Sequence, residues 1–543
     1  MKSHREIVWF TRVRTCFGAV MAGFFTVSAW VGVAKAEDSL QTAPKTAERA
    51  VYDNDELFNQ LSGAARTRAE RKFGRKVPAG SKICKNGPIF GSSGGSDSDG
   101  PSRGRWPDSF LANNLVNDPT ADATAQDTQS ETTIVLGSGA NVVCAFNDSG
   151  PFNDVSNPRF TGFSQSSNGG TSWVDKGSLP ASADGDGGDP VLAFSAKTGT
   201  ILLSTLSFNT AEKLLIFRST NNGASFTGPI NGAPGFDSTS GDHDKEWLTF
   251  DNFPGTGQGN AYLFWRNFGT PGGMTLTKST DDGLTWGPGG GTVIANSGQG
   301  GQVVVGPDHT VYTFWYNISA SPRRISMRKS TDFGVNFGST FTVTTFIGTG
   351  ANGDLALGGF RSSSFPQVVV NPVSGNLYII YPDAAQDIGG DRGNIFFRQS
   401  TDGGLTWSSA VKVNNDNTLR AQFQPGIAVR PDGSALAAGW YDRRRDSADS
   451  LIERWAATAT ISGSTVTWGP NFRVSPQFPA VFGADSAVSP DYMGDYDQLA
   501  ADNSFFYSTW GDNRDNSIAV PARKNANVRS AKFTLAGPGP ILD

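Results

Sequence analysis

The stretches DHDKEW (Asp242–Trp247) and DYMGDYDQ (Asp491–Gln498) hold some of the chain's densest unusual polar residues. Elsewhere stand Glu131, Asn147-Asp148, Arg266-Asn267, Tyr316-Asn317, Arg361, Asp383, Tyr441-Asp442-Arg443-Arg444 and Asp512-Asn513-Arg514. Carboxylates can act as general acid or base. Arginine offers forked donors to a carboxylate, and aromatic rings stack on sugar faces. The set suits an anionic or hydroxyl-rich ligand. The candidates for chemistry are Asp244, Glu246, Tyr441, Asp442, Asp495 and Tyr496, with Arg266, Arg361, Arg443 and Arg514 for substrate. The structural alternative is that these groups pair with one another between neighbouring elements. WYDRRRD and WGDNRD look alike, which points to a repeated structural part in their role.

Other chemistries are poorly supplied. Beyond the N-terminal leader only His243 and His309 remain, too few for His-rich zinc sites, and a Ser-His-Asp triad would have to rest on one of them. DGDGGD offers Asp184, Asp186 and Asp189 to a calcium ion, but six residues are half an EF-hand loop and no Glu closes them. A Gly-rich connection is the competing reading. No organic cofactor and no resident metal is expected. A net charge of -5 shows no basic stripe, so nucleic acid is not expected as a partner.

The elements that must position these groups are short strands and many turns, as a composition rich in Gly, Asn, Asp, Ser, Thr and aromatics implies. SSNGGTSW begins at Ser166, STNNGASF at Ser219, STDDGLTW at Ser279, STDFGVNF at Ser330 and STDGGLTW at Ser400. Recurrence at such a period means a solenoid or propeller. Each box follows a third strand and leads into a fourth. Asn168, Asn221, Asp281, Asp332 and Asp402 can accept backbone N–H groups as Asx turns do. Gly283, Gly334 and Gly404 suit positive φ. Trp173, Trp286 and Trp407 plug the blades. One catalytic centre per blade would make no sense, so the boxes are structural. Seven hairpins, from TTIVLGSGANVVCAF to DQLAADNSFFYSTW, predict an all-β, seven-bladed propeller over 130–543, with six blades as the alternative. NVRSAKF (527–533) supplies a third strand to the last blade.

Repeated S-x-D-x-G-x-T-W on a propeller resembles the Asp-box, or BNR, repeat of the sialidase superfamily, over about 400 residues. The pattern of DKEW, WYDRR, GDY and W-x-D-x-R is similar to exported bacterial sialidase-like proteins. The resemblance implies boxes on the periphery, away from the active site. It also implies a Tyr nucleophile with a Glu partner, an acid/base Asp and an arginine triad for a substrate carboxylate. By strand position Tyr441 or Tyr496, Glu246 or Glu131, Asp244 or Asp495, and Arg361, Arg443 and Arg514 would take those places. The family's F/Y-R-I-P motif has no counterpart, since Phe217-Arg218, Phe360-Arg361 and Phe397-Arg398 lack the Ile-Pro.

Box turns and 1–2 turns share one face, so the polar clusters fall on the opposite rim. Two functions follow: an exo-glycosidase acting on sialylated or other anionic glycans, or a non-catalytic glycan- or protein-binding propeller at the cell surface. Residues 1–36 read as a signal peptide, basic residues before the apolar run Cys16–Ala34 and an A-x-A site at Ala34-Lys35-Ala36, with a retained anchor as the alternative. Export would place the chain outside the cell, in the periplasm or on the cell surface, with no later membrane span. Residues 37–129 form a partly helical extension (43–75) with a Gly/Ser-rich linker at Gly91–Gly104. Cys84 and Cys144 could pair in an oxidising compartment or stay as thiols.

Overall fold

The computed structural model describes residues 109–537 apart from short internal segments (154–156, 209–212, 237–242, 270–271, 288–290, 318–319, 348–359, 385–392, 449, 481–483 and 490–491), together with Leu61, Ala65, Arg66, Glu70 and Phe73. The signal peptide, the linker, Cys84, Asp242 and Asp491 lie outside the described residues.

Second strands such as AYLFWRN, VYTFWYN, LYIIYPD and ALAAGWYD are nearly continuous apolar runs because a sheet covers each of their faces. Fourth strands such as Val174–Ser178 and Val411–Lys412 are polar and exposed. Stacking sheets with buried inner and wet outer strands gives seven antiparallel blades. Their first strands are Gln129–Leu136, Val191–Phe194, His243–Phe250, Gln299–Val305, Gln367–Val370, Gln422–Val429 and Leu499–Ala501. A separate apolar cluster fills the space between blades, for example Val143, Phe163, Leu203 and Phe217 between blades 1 and 2. Leu61, Ala65 and Phe73 join the cluster between blades 2 and 3, which packs part of the N-terminal extension on the propeller. No helix of the described residues is long and apolar enough to cross a membrane.

The seventh blade takes its fourth strand from the other end of the chain. Asn114–Leu115 pairs with Arg529 and Ser530, so the last sheet is closed by residues that precede the first. Cys144 is a buried thiol in the cluster formed by Val116, Phe146 and Val528.

The box closes its turn with a fixed set of bonds. In blade 3, Ser279 Oγ donates to Asp281 (2.7 Å), Gly283 N donates back to Ser279 Oγ (2.9 Å), and Thr285 N donates to Asp281 (2.9 Å). Hydrogen bonds from Ser330 and Asn336 hold the Asp332 carboxyl down at about 2. The box also ties blades together. In four of the five boxes the residue before the serine reaches the carbonyl of the fourth box residue on the next blade: Gln165 to Asn222, Arg218 to Asp282, Lys278 to Phe333 and Lys329 to Gly403; Gln399 reaches Ser464 instead. Lys532 does the same from blade 7 to Gly169 of blade 1. All five box acceptors have left-handed backbone, which turns their carbonyls toward the preceding blade. Three box glycines leave no room for a Cβ: one on Gly283 would lie 2.7 Å from Leu202, one on Gly223 would run into Val143 and one on Gly404 into Met327, whereas on Gly170 the nearest atom, of Tyr507, is 3.5 Å away. Glycine is required there by positive φ and by contact with the neighbouring blade.

Candidate functional site

The rim opposite the boxes is shaped by a repeated irregularity. In blades 1, 3, 4 and 6 the first strand carries one extra residue against the second, between Ser130 and Thr133, Asp244 and Trp247, Gln299 and Gln302, and Phe423 and Gly426. At each bulge one residue has positive φ: Glu131, Lys245, Gly300 and Gln424. Asp189 shares that backbone just before the first strand of blade 2, and Gly494 just before Asp495. Such bulges re-aim side chains, and left-handed non-glycine residues cluster at functional sites.

Glu131, Lys245 and Glu246, at or beside bulges, meet Asp189, Tyr492, Asp495 and Tyr496 in one buried network. Glu131 accepts from Asn147 (2.8 Å) and from the backbone N–H of Asp495 (2.8 Å). Asp495 is ion-paired with Arg361 at 2.9 Å. Asp189 accepts the Lys245 N–H (3.2 Å), and the Lys245 ammonium lies 3.6 Å from the Tyr496 ring centre. Burial, then Asp189 and Asp495, raise the Glu131 carboxyl well above the usual range. Burial and then Asp189 do the same to Glu246. Burial lowers the Lys245 ammonium against the pull of the surrounding carboxylates. Among the described residues neither carboxyl oxygen of Glu246 has a hydrogen-bond partner in another residue, although Glu246 is fully buried.

Asn147 is the hub. Its amide N–H groups reach Glu131 and the Tyr492 hydroxyl, while its carbonyl oxygen accepts from the Asp189 N–H at 2.9 Å. Ser130 also donates to Tyr492, at 2.8 Å. Sequence reasoning passed over Tyr492 and gave Lys245 and Asn147 no role. Gly300, at the equivalent bulge position of blade 4, was the available signal.

The other candidates divide. Glu246, Asp495, Tyr496 and Arg361 belong to the network. Asp244 sits at its edge and accepts from Gln299 (2.6 Å), with Arg266 opposite on the paired strand. Arg266 lies over Phe268, and burial lowers its guanidinium to about 10. Tyr441 is buried, stacks on Phe423 and donates to the Gly511 carbonyl (2.9 Å). Tyr496 donates to the Pro190 carbonyl (3.0 Å). Arg443 lies over Phe360. Arg514 pairs with Asp512 and reaches Asn113 (2.8 Å), beside the outermost strand of blade 7. Arg361 and Arg514 thus face different partners, Arg514 toward the outer edge of its blade.

Asp442 forms a clamp. It accepts from Trp440 Nε1 (2.8 Å) and Arg444 Nε (2.9 Å), as Asp512 accepts from Trp510 Nε1 (2.9 Å) and Arg514 Nε (2.8 Å). The likeness of WYDRRRD and WGDNRD is therefore a likeness of hydrogen bonds. The three aspartates of DGDGGD go separate ways: Asp184 pairs with Lys213 (2.8 Å), Asp186 accepts the Phe160 N–H (2.7 Å), and Asp189 joins the buried network, where residues from blades 1, 2, 3 and 7 meet at the propeller axis.

Beneath the rim of blade 1, Gln129 Nε2 donates to Asp148 (3.1 Å) and to Asp122 (3.3 Å). Burial pushes Asp148 up to about 6; burial, then Asp148 and Asp127, push Asp122 up to about 8. A carboxyl that holds its proton more tightly when folded contributes stability at acid pH that is lost as pH rises through its folded pKa. Asp122→Asn is therefore expected to stabilise the fold at pH 8 by about 1–3 kcal/mol. At pH 4 it should change nothing. Denaturation midpoints at both pH values check this.

No protein-family profile matches the chain, and no curated protein matches it. Solved structures match at low identity. The alpha-L-arabinofuranosidase of Fusarium graminearum with arabinobiose is 12% identical over 79% of this chain and 98% of its own, with a TM-score of 0.41. The intramolecular trans-sialidase of Ruminococcus gnavus with oseltamivir carboxylate is 16% identical over 77% and 97%, with a TM-score of 0.39. A Dyadobacter fermentans protein of unknown function is 14% identical over 62% and 95%, with a TM-score of 0.40. What those chains act on is theirs; the function proposed for this one rests on its own residues.

Proposed function

We propose that the chain is a glycan-acting propeller hydrolase whose reacting groups are the carboxyls at the axis. The observation that carries this is Glu246, buried and without a hydrogen-bond partner in another described residue, among a set of groups whose environments drive their proton affinities apart. Glu246, kept protonated by burial, is the general acid that gives its proton to the leaving glycosidic oxygen. Asp495, held by Arg361, is the partner carboxylate that takes a proton from the attacking water. Asn147 positions Glu131 and Tyr492 beside them. Tyr441 and Tyr496 donate to backbone carbonyls and serve as walls rather than nucleophiles.

Hydrolysis of an aryl-glycoside panel that includes 4-methylumbelliferyl sialoside and 4-nitrophenyl alpha-L-arabinofuranoside tests the proposal. The purified chain should release aglycone from at least one member, and Glu246→Gln should lower kcat about 10²–10⁴-fold. A second reading, a non-catalytic glycan-binding propeller, is favoured by the burial of the network, in which Arg361 is the most exposed charged group at 3%. Glycan-array binding without turnover of any panel member would select it.

A further inference from the structure

Four blades place a tryptophan near the end of the second strand and an Asn or Asp two residues later: Trp265/Asn267, Trp315/Asn317, Trp440/Asp442 and Trp510/Asp512. All four indoles are fully buried. In blades 6 and 7 the indole N–H donates to the aspartate of its own pair. In blade 3 it donates to His243 Nδ1 (3.1 Å), and Asn267 accepts the Gly269 N–H (2.8 Å). Blade 4 differs. Among the described residues Trp315 Nε1 and Asn317 Oδ1 are both buried atoms with no partner.

These two atoms belong to residues that line the same cleft, about 400 Å³, between the outer strand of blade 3 and the face of blade 4. Val293, Ile294 and Ala295 form an apolar wall, and Ser297 adds a hydroxyl. The one charged lining residue, Arg328, has its guanidinium engaged by the carbonyls of Ile294 (2.7 Å), Phe337 (2.8 Å) and Gly338 (2.6 Å). A buried N–H left unmade is unfavourable, and an all-carbon side chain would avoid that cost. The cleft therefore holds an unpartnered donor and an unpartnered acceptor beside an apolar wall, with Asn296, Ser297 and Thr340 also lining it and the Arg328 guanidinium occupied by backbone carbonyls. Its size is that of a small-ligand site.

We infer that this flank cleft is a carbohydrate subsite for a neutral pyranose ring, distinct from the axial carboxyl network. A ring hydroxyl accepts from the Trp315 indole N–H and donates to the Asn317 carbonyl oxygen, while the C–H face of the ring packs on Val293–Ala295. The inference stands whether or not the axis is catalytic.

Saturation-transfer NMR with the methyl pyranosides of glucose, galactose, mannose and xylose tests it. At least one sugar should bind the wild-type chain, and Trp315→Phe and Asn317→Leu should each weaken it about tenfold. Binding should persist in Glu246→Gln. Absence of binding by all four sugars would overturn the inference, as would binding lost in Glu246→Gln but kept in Trp315→Phe. Thermal unfolding without sugar gives an independent reading. Trp440→Phe and Trp315→Phe both lose buried indole volume, but Trp440→Phe also strips a donor from Asp442 and should lower the midpoint clearly more. An equal loss in both would mean that the Trp315 N–H is satisfied inside the fold, and the cleft would have no open donor.

Discussion

Replacing Asp442 with alanine is expected to destabilise the protein by about 3–5 kcal/mol, the cost of breaking a buried ion pair by removing one partner. The carboxylate is fully buried and accepts from Trp440 Nε1, Arg444 Nε and the Arg444 backbone N–H (2.8 Å), with an ion-pair contact to Arg444 Nη2 at 2.7 Å. Alanine would strand the indole N–H and leave the Arg444 charge with Asn415, Asn471 and a more distant Asp416 at 3.7 Å. Asp442→Asn keeps one acceptor and should lose clearly less. Chemical denaturation of the three proteins, followed by tryptophan fluorescence, measures the order wild type, Asn, Ala. An alanine variant as stable as wild type would remove the clamp from the account of blade 6.

Removing residues 1–118 is expected to abolish cooperative folding of the propeller. The loss would include the two strand pairs of Asn114 and Leu115, the Val116 N–H bond to Val528 (2.9 Å), and both bonds between Asn117 and the Asn527–Val528 segment. Asn114 also donates to Gly170 in the first box (2.9 Å), so the segment joins the last blade to the first. Without it the third strand of blade 7, Asn527–Phe533, becomes an open edge, which invites intermolecular pairing. The expected result is aggregation on expression or a broadened, early thermal transition. The double substitution Val116→Ser with Asn117→Ala probes the closure without truncation and should cost about 2–4 kcal/mol, one buried apolar side chain plus its capping bonds.

The blade count was legible because a strand covered on both faces must be apolar throughout, and seven such hairpins stand in the chain. The box turns were legible too, because positive φ packed against a neighbouring strand favours glycine and an Asx turn requires Asp or Asn. The clamp was half legible: WYDRRRD and WGDNRD announced a shared part, but not which atoms bond. At the axis the sequence pointed to DHDKEW and GDYD, and the structure draws Glu246, Asp495 and Tyr496 from them. It adds Lys245, Asn147 and Tyr492, and sets Arg514 and Asp442 apart. Those assignments depend on bulges at Glu131, Lys245 and Gln424, residue types that carry no local signal for left-handed backbone.

The amino-acid order therefore determined the repeating unit, its number and the face on which polar groups gather, since all three follow from periodicity, turn chemistry and strand alternation within a few dozen residues. The closing strand at Asn114–Leu115, the ring of ties from Gln165, Arg218, Lys278 and Lys329 into the next box, and the meeting of Glu131 with Asp495 came from tertiary structure alone. Each joins residues far apart in the chain, and only closure of the ring sets that distance to a hydrogen bond.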